Sequence, residues 1–245
     1  MSEGKKTALV TGANKGIGFE IARQLGIQDI TILVGARDLA RGEAAIQKLR
    51  AEKIEAAVVH LDVTNQVSID AAAAFIGQTY GRLDILVNNA AIAVREWSTP
   101  PSQLLFEDLQ KTFATNVFGV FAVTKAMLPL LRHSQAGRIV NVSSEMGSLS
   151  INSDANSSIA QFPPTLAYNA SKTALNALTV FFAKELQDTP IKVNSVSPGY
   201  VATDLNGHSG YLSTEQGAKA PIAYATLPAD GPTGGFFGVD GQIAW

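Results

Sequence analysis

The sequence predicts an α/β fold in which a doubly wound sheet of about seven parallel strands carries helices on both faces. Two observations support this prediction. Short apolar runs alternate along the chain with helical patterns of about ten residues or more, which is typical of βαβ units. The apolar runs are nearly continuous, as expected for strands that helices cover on both faces. A length of 245 residues without a linker or repeat fits a single domain over residues 1–245.

The predicted strands are apolar runs that end in turn-forming residues, and they lie at residues 7–10, 30–34, 56–61, 83–87, 138–142, 191–196 and 235–239. A first helix is indicated by Ile17, Ile21 and Leu25, which recur every four residues. Further helices are predicted at residues 39–51, 66–79, 103–132 and 166–186. Pro129 predicts a kink or an end in the third of these. Residues 148–164 and 197–214 are rich in Ser, Asn, Gly and Pro and predict loops.

Composition excludes several classes of function. The chain has no cysteine, which excludes disulfides, a thiolate nucleophile and a cysteine metal site. Its net charge of −2 argues against nucleic acid as a partner, because phosphate binding needs a basic surface. The three histidines, His60, His133 and His208, have no metal-site spacing. No apolar run reaches the roughly 18 residues of a membrane span, and the N-terminus lacks a signal-peptide pattern. We therefore expect a cytoplasmic protein without a metal, membrane or nucleic-acid partner.

A glycine-rich loop, residues 11–18, separates the first predicted strand from the first helix. Glycine permits a tight turn and lets the backbone approach a phosphate. The helix N-terminus beyond it offers free N–H groups to a pyrophosphate. The spacing is G-x-x-x-G-x-G, which differs from the common G-x-G-x-x-G. Taken alone, the loop could equally be a tight turn with incidental glycines.

Six motifs together resemble the short-chain dehydrogenase/reductase family over essentially the whole chain. They are Thr11–Gly18 (TGxxxGxG), Asn88-Asn89-Ala90-Ala91 (similar to NNAG, with alanine as the last residue), Asn116 in Thr115-Asn116-Val117, Val142-Ser143-Ser144, Tyr168-Asn169-Ala170-Ser171-Lys172 (YxxxK), and Ser197-Pro198-Gly199 with Thr203. They follow the family's order, each at the end of a predicted strand or on a predicted helix. The resemblance implies a Rossmann-type fold and nicotinamide-dependent redox chemistry.

Tyr168 and Lys172 are four residues apart on a predicted helix and therefore share one face. A free tyrosine has a pKa of about 10. We expect the nearby ammonium to lower that pKa, so that the phenol exchanges a proton with a carbonyl or alcohol oxygen. For this pair alone, the alternative is an ordinary amphipathic helix.

The resemblance also implies a role for each catalytic candidate. Tyr168 would be the acid/base, and Lys172 would lower its pKa and hold the ribose hydroxyls. Ser144 would hydrogen-bond the substrate oxygen, with Ser143 as the competing serine. Asn116 would order a water molecule that links Lys172 to solvent.

The separation of Ser144 and Tyr168, 24 positions, is longer than is common in the family, which indicates an insertion within residues 148–164. Monomeric carbonyl reductases of the family carry longer insertions there, and these cover a helix face that other members use to form tetramers. The resemblance therefore favours a monomer, with a homo-oligomer as the alternative.

The end of the second strand predicts the coenzyme. A carboxylate at this position would bind a ribose 2′-OH and repel a 2′-phosphate. Here the first charged residue is Arg37, and with Lys15 it would form a cationic clamp, which predicts NADPH over NADH. The alternative is two solvated surface cations. Asp38 is interpreted as the N-cap of the next helix.

The coenzyme-binding candidates comprise the glycine loop, the clamp, the adenine-contacting pair and the motif residues around the nicotinamide. They are Gly12, Asn14, Lys15, Gly16, Ile17, Gly18, Arg37, Asp62, Val63, Asn89, Ala90, Tyr168, Lys172, Pro198, Gly199, Val201 and Thr203.

The carbonyl-reductase branch is the part of the family that the chain resembles. The residues concerned are Asn14-Lys15-Gly16, Ala36-Arg37-Asp38, Met146, Gly234-Gly235-Phe236-Phe237 and Trp245. The resemblance implies NADPH-dependent reduction of aldehydes or ketones. The substrate-pocket candidates are Ile92, Trp97, Met146, Tyr200, Leu205 and Tyr211. One alternative is an alcohol or steroid dehydrogenase working oxidatively. Another is a non-catalytic NADP(H) sensor, although such relatives usually lose the Tyr or Lys of YxxxK.

Overall fold

A computed structural model describes residues 5–94, 99–157, 159, 162 and 165–245. The strands are β1 (Thr7–Thr11), β2 (Thr31–Ala36), β3 (Ala56–His60), β4 (Ile85–Asn88), β5 (Arg138–Val142), β6 (Lys192–Val196), β7 (Phe236–Gly238) and β8 (Gly241–Gln242). They form one sheet in the order β3-β2-β1-β4-β5-β6-β7-β8. The predicted set of seven parallel strands is confirmed. The antiparallel β8 was not predicted, because a two-residue strand has no periodicity.

The helices are α1 (Gly16–Ile27), α2 (Leu39–Ala51), α3 (Gln66–Tyr80), α4 (Phe106–Phe113), α5 (Val120–Leu131), α6 (Leu149–Ser153), α7 (Leu166–Glu185) and α8 (Thr214–Ala225). The long helix predicted at 103–132 consists of α4, a π-helical segment at Ala114–Gly119, and α5. It ends two residues after Pro129, as predicted. Helix α6 forms inside the predicted loop 148–164. Helix α8 was missed, because Gly217 and Pro221 interrupt its pattern.

Two apolar cores cover the two faces of the sheet. Leu25 of α1, Leu49 of α2 and Ile222 of α8 belong to one core. Helices α3, α5 and α7 contribute to the other. Neighbouring residues of β1 alternate between them, with Val10 in the first core and Leu9 in the second. Burial on both faces explains why these strands are continuously apolar in sequence.

The helical stretch Phe106–Leu131 is long and apolar enough to cross a membrane by length and composition alone, with a mean hydropathy of 1.5. Half of that window is buried within the protein, as in the core helix of a globular domain. This feature was not expected from the sequence, because Pro129 and several polar residues divide the apolar runs.

The described part of the insertion packs beside the start of α7. The amide of Asn169 donates a hydrogen bond to Asn152 Oδ1 at 3.1 Å. The backbone N–H of Ser150 donates to the carbonyl of the last residue, Trp245, at 2.8 Å. The insertion therefore connects the residues after β5 to the C-terminal residue of the chain.

A chain of buried hydrogen bonds connects strands β4, β5 and β6 through helix α7. Asn88 of β4 donates to Asn141 of β5 at 2.8 Å, and Asn141 donates to Thr179 of α7 at 2.8 Å. The hydroxyls of Thr179 and Ser195, the latter on β6, are 2.8 Å apart. All four side chains are buried, so each hydrogen bond replaces one that the polar side chain would make with water in the unfolded protein.

Replacing Asn141 with Ala is expected to lower the free energy of unfolding by about 1–3 kcal/mol, because buried partners on both sides lose a hydrogen bond. Urea denaturation followed by circular dichroism measures the change. Asn156→Ala, at an exposed asparagine, is the matched control. An equal effect of both substitutions would contradict a structural role for this chain of bonds.

Candidate active site

The strand order reverses between β1 and β4, and a crevice opens at the carboxyl ends of these strands. A cleft of about 830 Å³ occupies this position. Every residue predicted to bind the coenzyme lines it, and so do Ser144 and Ser143. The tertiary structure thus brings together motifs that are far apart in sequence.

The glycine loop has the backbone that its sequence requires. Gly12 and Gly16 have φ values of +66° and +59°, in the left-handed region that favours glycine. A Cβ at Gly18 would lie 2.4 Å from the side-chain amide nitrogen of Asn89. Helix α1 begins at Gly16, and the N-cap residue Lys15 makes no side-chain cap. The first N–H groups of α1 are therefore available to an anion.

Hydrogen bonds attach the glycine loop to the end of β4. Thr11 Oγ1 accepts from the backbone N–H groups of Asn89 and Ala90, at 3.0 and 2.9 Å. The side-chain amide of Asn89 donates to the Thr11 carbonyl at 2.9 Å. A Cβ at Gly12 would lie 3.1 Å from the Ala90 Cα, so the two segments touch. The NNAA motif therefore supports the glycine loop.

Tyr168 and Ser144 form the reactive end of the cleft. The Ser144 hydroxyl interacts with the Tyr168 phenol. Burial raises the pKa of Tyr168 to about 12, and the interaction with Ser144 acts in the opposite direction. The sequence predicted a lowered pKa, and this is not found in the structure, because desolvation disfavours the phenolate.

Lys172 lies one turn from Tyr168 on α7, as the spacing predicted. Its Nζ donates to the Val142 carbonyl at 2.7 Å and lies 5.6 Å from the centre of the Tyr168 ring. The ammonium is thus bound to the end of β5. Burial lowers the pKa of Lys172 to about 7. A side chain that holds a proton this weakly is placed to exchange it near neutral pH.

The two serines at the end of β5 have different partners. Ser143 is buried and its hydroxyl donates to Asn176 Oδ1 of α7 at 2.7 Å. Ser144 Oγ instead accepts from the Met146 N–H at 3.2 Å, and its hydroxyl interacts with Tyr168. The geometry therefore favours Ser144 over Ser143 as the serine that faces a reacting oxygen.

Asn116 lies in the π-helical segment, fully buried and behind the cleft rather than in its lining. Its Oδ1 accepts from the N–H of Ile92 at 2.9 Å, and its Nδ2 donates to the Ile92 carbonyl at 2.9 Å and to Ser171 Oγ at 3.0 Å. Ser171 in turn donates to the Tyr168 carbonyl at 2.7 Å. Both amide hydrogens of Asn116 are used, so its side chain joins the segment after β4 to α7. Sequence reasoning missed Ser171, although it lies inside the YxxxK motif.

Arg37, the first member of the predicted cationic clamp, lines the cleft and is exposed. Burial acts to raise the pKa of Asp62, but hydrogen bonds from Thr64 and the charge of Arg37 lower it overall. Asp38 accepts from the Arg41 N–H at 3.1 Å, which confirms it as the N-cap of α2. Arg41 also lines the cleft and was missed. Its place in the first turn of the helix that follows Arg37 was the available signal.

Lys15, the second member of the predicted clamp, lines the same cleft but lies in a different ion pair. Its Nζ is 2.5 Å from Asp204 Oδ2. The sequence did not predict this partner, which lies 189 positions away.

Apolar side chains surround the reactive end. Ile92, Met146, Tyr200 and Leu205 line the cleft as predicted. Tyr211 does not: it is 80% exposed and packs edge-on against the Tyr200 ring with centroids 5.9 Å apart. Trp97 lies outside the described residues. In the described part of the chain, no three His, Asp or Glu side chains gather as a metal site would require.

Comparisons with known proteins show what the whole chain is similar to. A family model for short chain dehydrogenase matches residues 6–211. The (-)-isopiperitenone reductase of Mentha piperita is 35% identical over an alignment of 314 residues, covering 100% of this chain and 99% of that protein. Carbonyl reductase (NADPH) 1 of Bos taurus is 34% identical and both chains are fully covered. The crystal structure of NADPH-bound carbonyl reductase from chicken fatty liver superimposes with a TM-score of 0.85 at 26% identity, covering 98% of this chain and 99% of that one.

Lys172→Met is expected to stabilise the coenzyme-free protein at pH 7, by an amount that shrinks as the pH rises. The folded pKa of about 7 lies below the ordinary 10.5, so between these values the unfolded chain binds more protons. Stability of the unsubstituted protein therefore rises with pH across this window, by at most about 1.4 kcal/mol per pH unit. Urea denaturation of both proteins at a series of pH values measures the difference.

Lys125→Met, at an exposed lysine, is the matched control for this substitution. A stability difference for Lys172→Met that stays constant over the whole pH window would show that the Lys172 pKa is not depressed by burial.

Proposed function

The chain belongs to the short-chain dehydrogenase family and is an oxidoreductase that acts on C=O or CH–OH groups, and from this premise we propose that it reduces aldehydes or ketones to alcohols with NADPH. One observation carries the proposal: Ser144, Tyr168 and Lys172 line the same cleft as every predicted coenzyme residue. The NADPH named for the bovine relative, and bound in the chicken structure, supports the choice of coenzyme.

The residues of the cleft suit the binding of a dinucleotide. The free N–H groups at the start of α1 would receive the pyrophosphate, and Arg37 with Lys15 and Arg41 would meet the 2′-phosphate. Pro198 and Gly199 would contact the nicotinamide, and Lys172 the ribose hydroxyls. Bound there, NADPH supplies the hydride that reduces the substrate carbonyl carbon.

Protons are handled by the side chains of the chain itself. The Ser144 hydroxyl would donate a hydrogen bond to the substrate oxygen and hold it beside Tyr168. Tyr168 would give its proton to that oxygen as negative charge develops on it. With a pKa raised to about 12, the phenol is fully protonated at neutral pH, yet an alkoxide is the stronger base and can take the proton. Lys172, with its pKa lowered to about 7, is placed to restore the proton, and Asn116 would hold the helix that carries Tyr168 and Lys172 in position.

The raised pKa of Tyr168 argues against the alternative of an alcohol or steroid dehydrogenase that works oxidatively. Oxidation needs a phenolate that accepts the alcohol proton. Burial disfavours that phenolate in the protein without coenzyme, which supports reduction as the working direction. A non-catalytic sensor would not need the buried Tyr168 and Lys172 together with Ser144.

The domain organisation, the cellular location and the oligomeric state are also proposals. We propose that residues 1–245 form one NADP(H)-binding domain that works in the cytoplasm as a monomer. The alternative is a homo-oligomer that buries Phe118, Phe121 and Phe181, which are exposed on one layer of helices. Light scattering at micromolar concentration distinguishes the two.

Tyr168→Phe is expected to abolish carbonyl-dependent NADPH oxidation and to leave NADPH binding intact, because only the proton donor is removed. Turnover of a panel of ketones and aldehydes, together with a fluorescence titration of NADPH, measures both effects. Tyr80→Phe, at the end of α3, is the matched control. Unchanged turnover of the Tyr168 variant would exclude the proposed acid/base role.

Arg37→Asp is expected to weaken NADPH binding far more than NADH binding, by at least about tenfold in relative affinity. A carboxylate at this position repels the 2′-phosphate and can accept hydrogen bonds from a ribose 2′-OH. Titration of both coenzymes measures the ratio, with the surface substitution Arg132→Asp as control. Equal losses for the two coenzymes would contradict the clamp.

A further inference from the structure

An ion pair joins the two walls of the coenzyme cleft. Lys15, in the glycine loop, has its Nζ 2.5 Å from Oδ2 of Asp204. Asp204 begins a short 3₁₀ turn in the segment after β6. The other carboxylate oxygen, Oδ1, lies 2.9 Å from Nε2 of His208. Lys15, Asp204 and His208 all line the cleft, so the pair lies where a coenzyme must bind.

The backbone of the turn holds Asp204 toward the glycine loop. The Thr203 N–H donates to Asn206 Oδ1 at 3.2 Å, and the Asn206 side chain donates to the Val201 carbonyl at 2.9 Å. A Cβ at Gly16 would lie 3.8 Å from the Thr203 methyl group, so the walls meet at this point. The position of Asp204 thus follows from an ordered turn and not only from the rotamer of one exposed side chain.

Lys15 carries one positive charge, and two anions would compete for it: the Asp204 carboxylate and the 2′-phosphate of the proposed NADPH. A carboxylate at 2.5 Å neutralises the charge that the proposed clamp would offer to a phosphate. Arg41 is already paired with Asp38, at 3.4 Å between Nε and Oδ2. A 2′-phosphate bound at Lys15 would therefore compete with Asp204 for the charge of this ammonium.

We propose that Asp204 is a coenzyme-specificity residue, which competes with the 2′-phosphate of NADPH for Lys15. This inference rests on the proposed use of NADPH. NADH has no 2′-phosphate and leaves the Lys15–Asp204 pair in place, so Asp204 opposes NADPH alone.

Asp204→Asn tests the proposal, because the amide keeps the size and the hydrogen-bonding capacity of the carboxylate but removes its charge. We expect the Kd of NADPH to fall about two- to fivefold, as is usual for loss of an exposed ion pair that competes with binding, and the Kd of NADH to stay unchanged. Fluorescence titrations at physiological salt measure both constants. Glu185→Gln, which breaks the exposed Arg132–Glu185 pair at 3.3 Å, is the matched control and should change neither.

Measuring Asp204→Asn in the Lys15→Met variant distinguishes competition for Lys15 from direct repulsion between Asp204 and the 2′-phosphate. Competition predicts that Asp204→Asn has no effect on NADPH binding once Lys15 is absent. An equal gain with and without Lys15, no gain at all, or the same change for both coenzymes would each overturn the proposal. Failure of the proposed use of NADPH is recognised separately, since it would appear in the unsubstituted protein as the absence of an NADPH preference.

Discussion

The hydrogen bonds from Asn89 and Ala90 to Thr11 are the constraint on which the rest of the site depends. They fasten the glycine loop to the end of β4, across the point where the strand order reverses. A crevice at this point is a consequence of the parallel topology, but its shape requires the two segments to be held together. The contact distance between Gly12 and Ala90 explains why the loop has glycine there.

Burial controls the chemistry at the other end of the cleft. The same desolvation acts on Tyr168 and Lys172 in opposite directions, because it disfavours a phenolate and an ammonium alike. Tyr168 therefore holds its proton firmly and Lys172 holds its proton weakly. A proton donor next to a readily exchanging neighbour suits a reductase, and Asn116 and Ser171 keep the helix that carries both in position.

Sequence reasoning recovered most of the fold because its signals are local. Continuous apolar runs predicted the seven parallel strands, and four-residue periodicity predicted most of the helices. It failed where local signals conflict or are absent, as in α8 with its internal Pro221, β8 with two residues, and the π-helical turn that carries Asn116. Tyr211 was a pocket candidate because the resemblance implies a pocket built from its segment, but its ring packs against Tyr200 and is exposed.

By itself the sequence determined the strand–helix alternation, the family resemblance and the coenzyme-binding candidates, because glycine spacing and YxxxK spacing are properties of neighbouring residues. Only the tertiary structure decided which charges meet and which groups lose water. The pairing of Lys15 with Asp204 and the raised pKa of Tyr168 arise from contacts between distant segments. Electrostatic energies depend on distance and burial in space, and neither can be read from positions along the chain.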